Sequence, residues 1–335
     1  MTAFLVGGYT ADAGGTATGI GLARTRADGL EFLGTVAVAD SPSWLLVRGD
    51  RVYAVGEGDA TVSSWRRSGT ELTRESSVAA GGEGPCHLAL DGDALLVSCY
   101  GGGVLTRVPL REDGSLAGDG VVLLRGSGGG PHPDQRSGHL HASAVRRDGR
   151  AVALDLGSDT VHLLDGSRRP EAAIAVPAGT GPRDLQLLPD GRMLVLGELS
   201  GTLLLLSAEG ELLGEAAIPG AEPGDHAAAL GVVPLEGGFR VVTGLRGTDR
   251  IAVLDVPAAG TIAATASIAS GGVWPRYLLV DGDRLHVAHE RSSQLTTLRL
   301  HADGTVQGAG SSPCPSPTHL VPVADAWADL RLLTD

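Results

Sequence analysis

Aromatic residues are scarce in this sequence, where Phe, Trp and Tyr together make up 3% of the chain. Long apolar stretches are missing as well. Runs such as Met193 to Val195 and Leu203 to Leu206 fall far short of the roughly 20 residues that a membrane-spanning helix needs. We therefore expect a soluble protein with no membrane partner.

Cysteine is nearly absent. The three cysteines, Cys86, Cys99 and Cys314, include no CxxC pair. This pattern predicts neither a disulfide framework nor a cysteine-based zinc site, so reduced thiols are expected.

The sequence also lacks an excess of basic residues. The formal charge is -13 and the arginines are scattered along the chain, whereas nucleic-acid binding requires clustered cations. We therefore expect that the protein does not bind nucleic acid. The first residues contain neither a basic segment nor a small-residue cleavage site, which favours a cytoplasmic protein.

What the sequence has in abundance is glycine and proline. It contains 51 Gly and 18 Pro, and its 42% of hydrophobic residues fall in short runs of Val, Leu and Ala. Many brief strands separated by tight turns have this composition, so the fold class is predicted to be all-β.

A repeated phrase organises the chain. A Pro or Gly turn and a short polar or aromatic signal precede an apolar strand, which is followed by a turn, usually with Asp-Gly or Gly-Asp, and a second apolar strand. Its seven copies begin at Ser41, Gly84, Gly138, Gly181, His226, Gly272 and Pro315.

A period of forty-odd residues predicts propeller blades of four strands, here one seven-bladed β-propeller domain over residues 1–335. The last copy lacks strands, and Phe4 to Tyr9 is the expected donor that closes the ring. A pair of β-sandwiches is the alternative, but the even spacing without a linker favours the propeller.

These phrases together resemble the lactonase family of seven-bladed propellers, which includes the bacterial 6-phosphogluconolactonase of propeller type and the fungal carboxymuconate lactonizing enzyme. The resemblance runs almost end to end, and its order and spacing carry more weight than any single phrase. The matching stretches include GGYT at 7–10, YAVGE at 53–57, GPCHLAL at 84–90, CYGGG at 99–103, GPRDLQLLPDGR at 181–192, GELSGT at 197–202 and GGVWPR at 271–276.

The innermost strands of a propeller line its central channel, so polar residues from several repeats converge there. The candidates are His139, His141, Arg183, Glu198, Arg246 and Arg276, together with His132 in the extra loop at 126–138. The resemblance implies that His141 is a catalytic acid or base and that Arg183 and Arg246 are active-site cations. Glu198 could orient an arginine or serve as the general base. His139, Arg276 and His132 are expected to bind substrate.

Each candidate has a structural alternative. The arginines and Glu198 could form salt bridges between blades, and the histidines could be ordinary surface or core residues. Cys86 and His87 are adjacent, and strand alternation places them on opposite faces, so Cys86 is expected to be buried packing.

The sequence departs from the family pattern at several places. Asp184 stands where His commonly follows Gly-Pro-Arg, and Leu140 replaces Pro between the two histidines. Gly197, Leu245 and Cys99 stand where Asn is usual. These changes alter hydrogen-bonding groups beside the charged candidates and so bear on substrate preference.

The function predicted from the resemblance is metal-independent and cofactor-free hydrolysis of a sugar lactone, foremost 6-phospho-glucono-δ-lactone, a small-molecule substrate of carbohydrate metabolism and the pentose phosphate pathway. Reversible lactonisation of a muconate-type dicarboxylate is the nearest alternative. A metal-dependent lactonase would need several carboxylate and amide oxygens around a hard cation, and only Glu198 is well placed for that. A non-enzymatic binding propeller is the remaining alternative, although WD repeats are absent.

Overall fold

The structure is a computed structural model that describes residues 2–333. Its strands are β1 (Ala3–Gly8), β2 (Gly19–Thr25), β3 (Leu30–Val38), β4 (Leu45–Arg48), β5 (Arg51–Gly56), β6 (Thr61–Ser68), β7 (Glu71–Ala79), β8 (Pro85–Asp91), β9 (Ala94–Cys99), β10 (Val104–Pro109), β11 (Val121–Arg125), β12 (Leu140–Val145), β13 (Ala151–Asp155) and β14 (Thr160–Leu164). They continue with β15 (Pro170–Ala175), β16 (Pro182–Leu187), β17 (Met193–Gly197), β18 (Thr202–Leu206), β19 (Leu212–Ala217), β20 (His226–Leu235), β21 (Gly238–Arg246), β22 (Arg250–Pro257), β23 (Ala263–Ala269), β24 (Pro275–Asp281), β25 (Arg284–His289), β26 (Gln294–Leu300), β27 (Val306–Pro313) and β28 (Pro317–Val323).

Helical structure in the described chain is limited to short 3-10 segments, namely Ala11–Ala13, Pro133–Gln135, Leu156–Ser158 and Asp325–Asp329. None of the helices within residues 2–333 has the length and apolar character needed to cross a bilayer.

The strands form seven four-stranded antiparallel sheets, one per blade, arranged in a ring. Blade 1 has the order β28-β1-β2-β3, and blades 2 to 7 follow along the chain from β4 to β27, each beginning with its innermost strand. The predicted seven-bladed propeller is confirmed.

Tight turns set the spacing of the blades. In blades 2, 3 and 7 a two-residue Gly-Asp turn joins the first two strands, as between Asp281 and Arg284. Gly282 has a φ of +62° there, a conformation that residues with a Cβ adopt only with strain. These recurring turns are the Gly-Asp signals of the repeat that is visible in the sequence.

The ring closes between the two ends of the chain. β1 pairs with β28 from Ala3↔Val323 to Gly8↔Pro317, which confirms the predicted closure by an N-terminal strand. The N-terminal part supplies more than that strand, because β2 and β3 complete the same sheet. Phe4 and Leu5 are fully buried, so the junction is part of the hydrophobic core.

The core lies between neighbouring blades. One cluster joins Leu194 and Leu203 of blade 5 to Val241 and Leu254 of blade 6, and equivalent clusters occur around the ring. Since apolar side chains fill most of these spaces, most polar side chains are left to the channel and the outer surface.

The innermost strands are interrupted near their start by a β-bulge. In blades 3, 5, 6, 7 and 1 one residue has no partner on the second strand, and in blade 4 His141 and Ala142 together face Leu154. The unpaired residues are Cys86, Arg183, Ala229, Arg276 and Thr318.

A bulge turns a side chain away from simple alternation. Cys86 is buried as expected. Its Sγ contacts the backbone of Leu140 and His141 in blade 4, whereas the His87 ring packs against Trp44 of blade 2, so the two side chains face opposite neighbouring blades, as predicted. The bulges thus direct one residue of nearly every blade into the channel.

Candidate active site

A narrow cavity lies where the bulges face the channel axis. Each of the seven blades contributes to its wall, and the centre of a water molecule can occupy about 30 Å³ of it. The lining residues are Ser43, Trp44, Cys86, His87, His141, Ala142, Arg183, Asp184, Ala229, Arg276, Tyr277 and Thr318. A volume of this size holds only a few waters, so the polar groups around it lie close together.

A second set of residues surrounds this cavity at or just after the end of the second strand of each blade. Backbone N–H groups at this position bond back to the start of the same blade, as Glu57 to Ser41, Glu198 to Gly181 and Glu290 to Trp274. The members of this end-of-strand ring are Tyr9, Glu57, Tyr100, Leu156, Glu198, Arg246 and Glu290.

Glu198 holds two arginines in this arrangement. Its Oε2 accepts a hydrogen bond from Arg183 Nη1 at 2.6 Å, and its Oε1 accepts one from Arg246 Nη2 at 2.5 Å. His226 Nδ1 lies 3.2 Å from Oε1. Arg183, Glu198 and Arg246 are all buried, at 7%, 7% and 4% exposed.

The electrostatics of this cluster are those of a shared ion pair. Although burial opposes ionisation, Arg183 and Arg246 hold the pKa of Glu198 well below its ordinary value. Burial, together with the charge of Arg183, lowers the pKa of Arg246. A carboxylate engaged by two guanidinium groups is suited to orienting them, and its low basicity suits it poorly to accepting a proton.

His141 stands beside this cluster with its ring free. It is half-buried, contacts the Tyr100 ring edge at 5.7 Å between centroids, and has no hydrogen bond to its ring nitrogens from the described residues. Burial, and next Arg183, hold the pKa of His141 well below its ordinary value. The ring is therefore neutral near pH 7 and able to accept a proton.

His139 lies at the rim rather than in the cavity wall. Its Nδ1 is 2.9 Å from the carbonyl oxygen of Tyr100 and its Nε2 is 3.1 Å from Ser137 Oγ. The imidazole stacks on the Tyr100 ring at 4.2 Å between centroids. Both ring nitrogens are thus engaged, and the residue holds the rim between blades 3 and 4.

Arg276 belongs to a second polar cluster. Its Nη2 donates to Tyr9 Oη, and its Nε is 3.7 Å from Glu290 Oε2. Tyr9 Oη in turn donates to Glu57, whose carboxylate also accepts from Ser43 Oγ. Although burial opposes it, the Tyr9 hydroxyl and the carboxylates of Glu57 and Glu290 raise the pKa of its guanidinium.

A cluster of packed rings, the aromatic floor, lies at one side of the cavity, and Trp44, His87 and Tyr277 of this cluster line it. Trp44 contacts His319 at 4.0 Å, His87 at 4.3 Å and Tyr277 at 5.6 Å between ring centroids. Burial lowers the pKa of His87 and of His319 to about 3, so both are neutral parts of an aromatic floor. Trp44 therefore both packs against these rings and lines the cavity.

Asp184 lies against this floor. Its carboxylate accepts hydrogen bonds from the backbone N–H groups of Leu230 at 2.9 Å and Leu185 at 2.8 Å. Burial raises its pKa. The residue that replaces the usual His is thus held by neighbouring backbone, which fixes the junction of blades 5 and 6.

His132 is separate from the other candidates. It caps the short helix Pro133–Gln135, where Asp134 N donates to its Nδ1 at 3.2 Å, and its backbone N–H donates to Gln135 Oε1 at 3.0 Å. Within residues 2–333 no described contact joins it to the cavity residues. The structure thus brings together His141, Arg183, Glu198, Arg246 and Arg276 with His139 at the rim, and places His132 in its own loop.

Sequence reasoning did not identify Tyr9, Glu57, Tyr100 and His226. Three of these occupy the end-of-strand ring that also holds Glu198 and Arg246. The three could have been found by aligning the repeats and comparing the residue that directly follows the second apolar run in each.

The comparison with protein families agrees with this geometry. A family model described as lactonase, seven-bladed β-propeller matches residues 3–322. The chain belongs to this lactonase family. Its repeated phrases, its ring closure and its channel cluster are therefore features of a lactonase-family propeller, and the resemblance seen in the sequence is confirmed.

Individual relatives span nearly the whole lactonase-family chain. An uncharacterized protein of Lactococcus lactis, YwcC, is 30% identical over 322 residues, which cover 90% of this chain and 93% of the relative. A structure of a candidate 6-phosphogluconolactonase from Bacteroides uniformis has 26% identity and a TM-score of 0.86, covering 96% of this chain and 99% of that one.

A third relative is named for both its substrate and its location. The periplasmic gluconolactonase PpgL of Pseudomonas aeruginosa has 27% identity and a TM-score of 0.83, covering 96% of this chain and 99% of that one. Since that relative is periplasmic, a cytoplasmic location for this lactonase-family protein stays a prediction. In residues 2–333 no group of three or more His, Cys, Asp or Glu side chains is arranged to hold a metal ion.

Proposed function

We propose that this lactonase-family protein hydrolyses a sugar lactone in its central channel, with 6-phospho-glucono-δ-lactone as the favoured substrate. The observation that carries the proposal is the convergence of an unpartnered neutral imidazole, His141, with the guanidinium groups of Arg183 and Arg276 on one cavity. Relatives named for phosphorylated and plain gluconolactone support the substrate class.

The arrangement supplies the groups that lactone opening requires. His141 accepts a proton from water as the water oxygen attacks the lactone carbonyl, and Arg183 stabilises the oxyanion. The imidazolium then returns the proton to the ring oxygen as its bond to the carbonyl carbon breaks. The product carboxylic acid ionises, and a guanidinium binds the resulting carboxylate.

Glu198 has a supporting part in this proposal. With both oxygens bonded to arginines, it keeps Arg183 and Arg246 side by side and offsets their repulsion. We therefore assign it to orientation and His141 to proton transfer. No step requires a metal ion or an organic cofactor.

A muconate-type dicarboxylate is the second candidate substrate, for reversible lactonisation. The observation that favours it is the presence of two arginine clusters in one channel, Arg183 with Arg246 and Arg276 with Tyr9. Guanidinium groups suit two carboxylates as well as they suit one phosphate.

A panel assay separates these functions. Ring opening of 6-phospho-glucono-δ-lactone, glucono-δ-lactone and a muconolactone is followed at fixed pH against the spontaneous reaction, with and without a chelator. The proposal predicts acceleration that survives chelation and is greatest for the phosphorylated lactone. Acceleration of the muconolactone alone would support the second candidate, and no acceleration of any lactone would support a binding propeller.

A further inference from the structure

The contacts of Arg276 differ from those of Arg183, although both occupy the bulge position of their blades. Arg183 pairs directly with Glu198 of its own blade at 2.6 Å. The corresponding acid of blade 7, Glu290, is 3.7 Å from Arg276 Nε. The short contact of Arg276 is made instead with the hydroxyl of Tyr9.

Tyr9 connects Arg276 to a carboxylate two blades away. Its hydroxyl lies 3.0 and 3.1 Å from the two oxygens of Glu57. A tyrosine hydroxyl has one proton, so when it donates to Glu57 its oxygen is free to accept from Arg276. The chain Arg276 to Tyr9 to Glu57 therefore runs in one direction across blades 7, 1 and 2.

Several observations place this chain at the reacting end of the channel. Arg276 lines the same cavity as Arg183 and His141, and its side chain is 16% exposed. The bulge residue of the blade between the two arginines is Ala229, whose small side chain leaves space between them. Ser43, which donates to Glu57, also lines the cavity.

We propose that Tyr9 and Glu57 are positioning residues that hold Arg276 as a second anion-binding group of the cavity. The inference rests on the proposed lactone hydrolysis for its substrate. In this arrangement Glu57 directs the hydroxyl of Tyr9, and Tyr9 keeps the guanidinium turned towards the cavity, while the direct ion pair with Glu290 is the longer contact, at 3.7 Å.

The variant Tyr9→Phe tests this directly. Without the hydroxyl, the guanidinium is free to turn from the cavity and to pair more closely with Glu290, or with Glu57. We expect KM for an anionic lactone to rise about tenfold or more, the loss typical of one charged hydrogen bond, while kcat changes less than threefold. Glu57→Gln is expected to act in the same direction.

The matched control is Tyr53→Phe. Tyr53 is also buried, and its hydroxyl donates to the carbonyl of Gly114 at 2.6 Å, outside the channel. This variant loses one tyrosine hydrogen bond and is expected to keep the wild-type KM. Tyr9→Phe in an Arg276→Gln background is expected to change KM less than twofold, since the residue acts through Arg276.

A second readout does not depend on turnover. Labelling of arginines with phenylglyoxal, followed by mass spectrometry, reports the accessibility of Arg276, with and without inorganic phosphate. Phosphate is expected to protect Arg276 in the wild type and to protect it at least fivefold less in Tyr9→Phe, with Arg183 unaffected by the substitution.

The outcomes are distinguishable. If the wild type opens no lactone, the proposed function fails, and phosphate protection of Arg276 decides the positioning role alone. Equal protection in wild type and Tyr9→Phe would overturn the proposal. A full KM effect of Tyr9→Phe in the Arg276→Gln background would overturn it as well, because Tyr9 would then act independently of Arg276.

Discussion

The polar residues of this channel act in pairs, and the position of each residue in the repeat determines its partner. A residue at or just before the start of the innermost strand faces the end-of-strand residue of the same blade, as Arg183 faces Glu198 and Ser43 faces Glu57. The chemistry at each place differs from blade to blade, while the backbone is nearly the same. The site is therefore asymmetric although the fold is a repeat.

The substitution Glu198→Gln should expose the role of the shared carboxylate. Gln keeps the shape but leaves two buried guanidinium groups without a counter-charge. We expect the free energy of unfolding to fall by about 3 kcal/mol and kcat/KM to fall at least tenfold, measured by urea titration and by the lactone assay. Asp255→Asn is the control, because Asp255 pairs with the buried Arg240 outside the channel and should leave kinetics unchanged.

The pH dependence of kcat/KM tests His141. Its pKa lies well below the ordinary value of about 6.5 because of burial and Arg183. A base with a lowered pKa stays neutral, and so active, as the pH falls through 6.5. We expect kcat/KM, corrected for spontaneous opening, to be constant from pH 7.5 to 6.5 and to fall only at lower pH. A decline centred at or above pH 6.5 would contradict this role.

The bulge is the element that places these residues. The seven repeats and the ring closure could be predicted from the sequence, because turn signals and apolar runs record them locally. The convergence of His141, Arg183, Glu198 and Arg246 could be predicted from the propeller itself, because its innermost strands line one channel. The bulges could not be predicted, since side-chain alternation in the sequence does not reveal which residue lacks a partner on the next strand. Tyr9 and Glu57 were missed because their contact joins residues 48 positions apart across two blades.

Gly181, just before the bulge at Arg183, gives a testable prediction for this element. Gly181 has a φ of +58°, and a Cβ there would lie 2.5 Å from Leu199 Cγ. Gly282 has a φ of +62° with open space around it. Gly282→Ala should cost about 1 kcal/mol of unfolding free energy from backbone strain alone.

Gly181→Ala should cost at least about 1 kcal/mol more, because it adds the clash to the same strain. Urea titration of the two variants separates the cost of backbone strain from the cost of the clash with Leu199. Equal losses would mean that Leu199 moves aside freely and that the bulge is not tightly packed.

At the scale of the whole molecule, the ring of blades gathers residues from every blade around one cavity and packs the aromatic floor against it. Burial lowers the pKa of His87 and of His319 to about 3, whereas both ionise near 6.5 in the unfolded chain. Between these values the unfolded state binds protons that the folded state does not. Stability is therefore fully present above pH 6.5 and is lost as the pH falls.

The variant His87→Gln isolates this contribution. Each buried histidine adds up to about 1.4 kcal/mol per pH unit to the loss of stability below pH 6.5. The unfolding free energy of the variant should therefore fall less steeply than that of the wild type between pH 6.5 and 5, by about that amount per pH unit. Urea titration at each pH measures it. Parallel curves for wild type and variant would show that His87 is not held neutral in the floor.

The most direct measurement of the central claim is the rate of 6-phospho-glucono-δ-lactone opening with wild-type protein and with Arg183→Ala, at equal folded concentration. The account predicts that the wild type exceeds the spontaneous rate by a wide margin and that Arg183→Ala loses at least 100-fold in kcat/KM, the scale of one removed oxyanion-binding group. Equal rates for the two proteins would contradict catalysis in this channel.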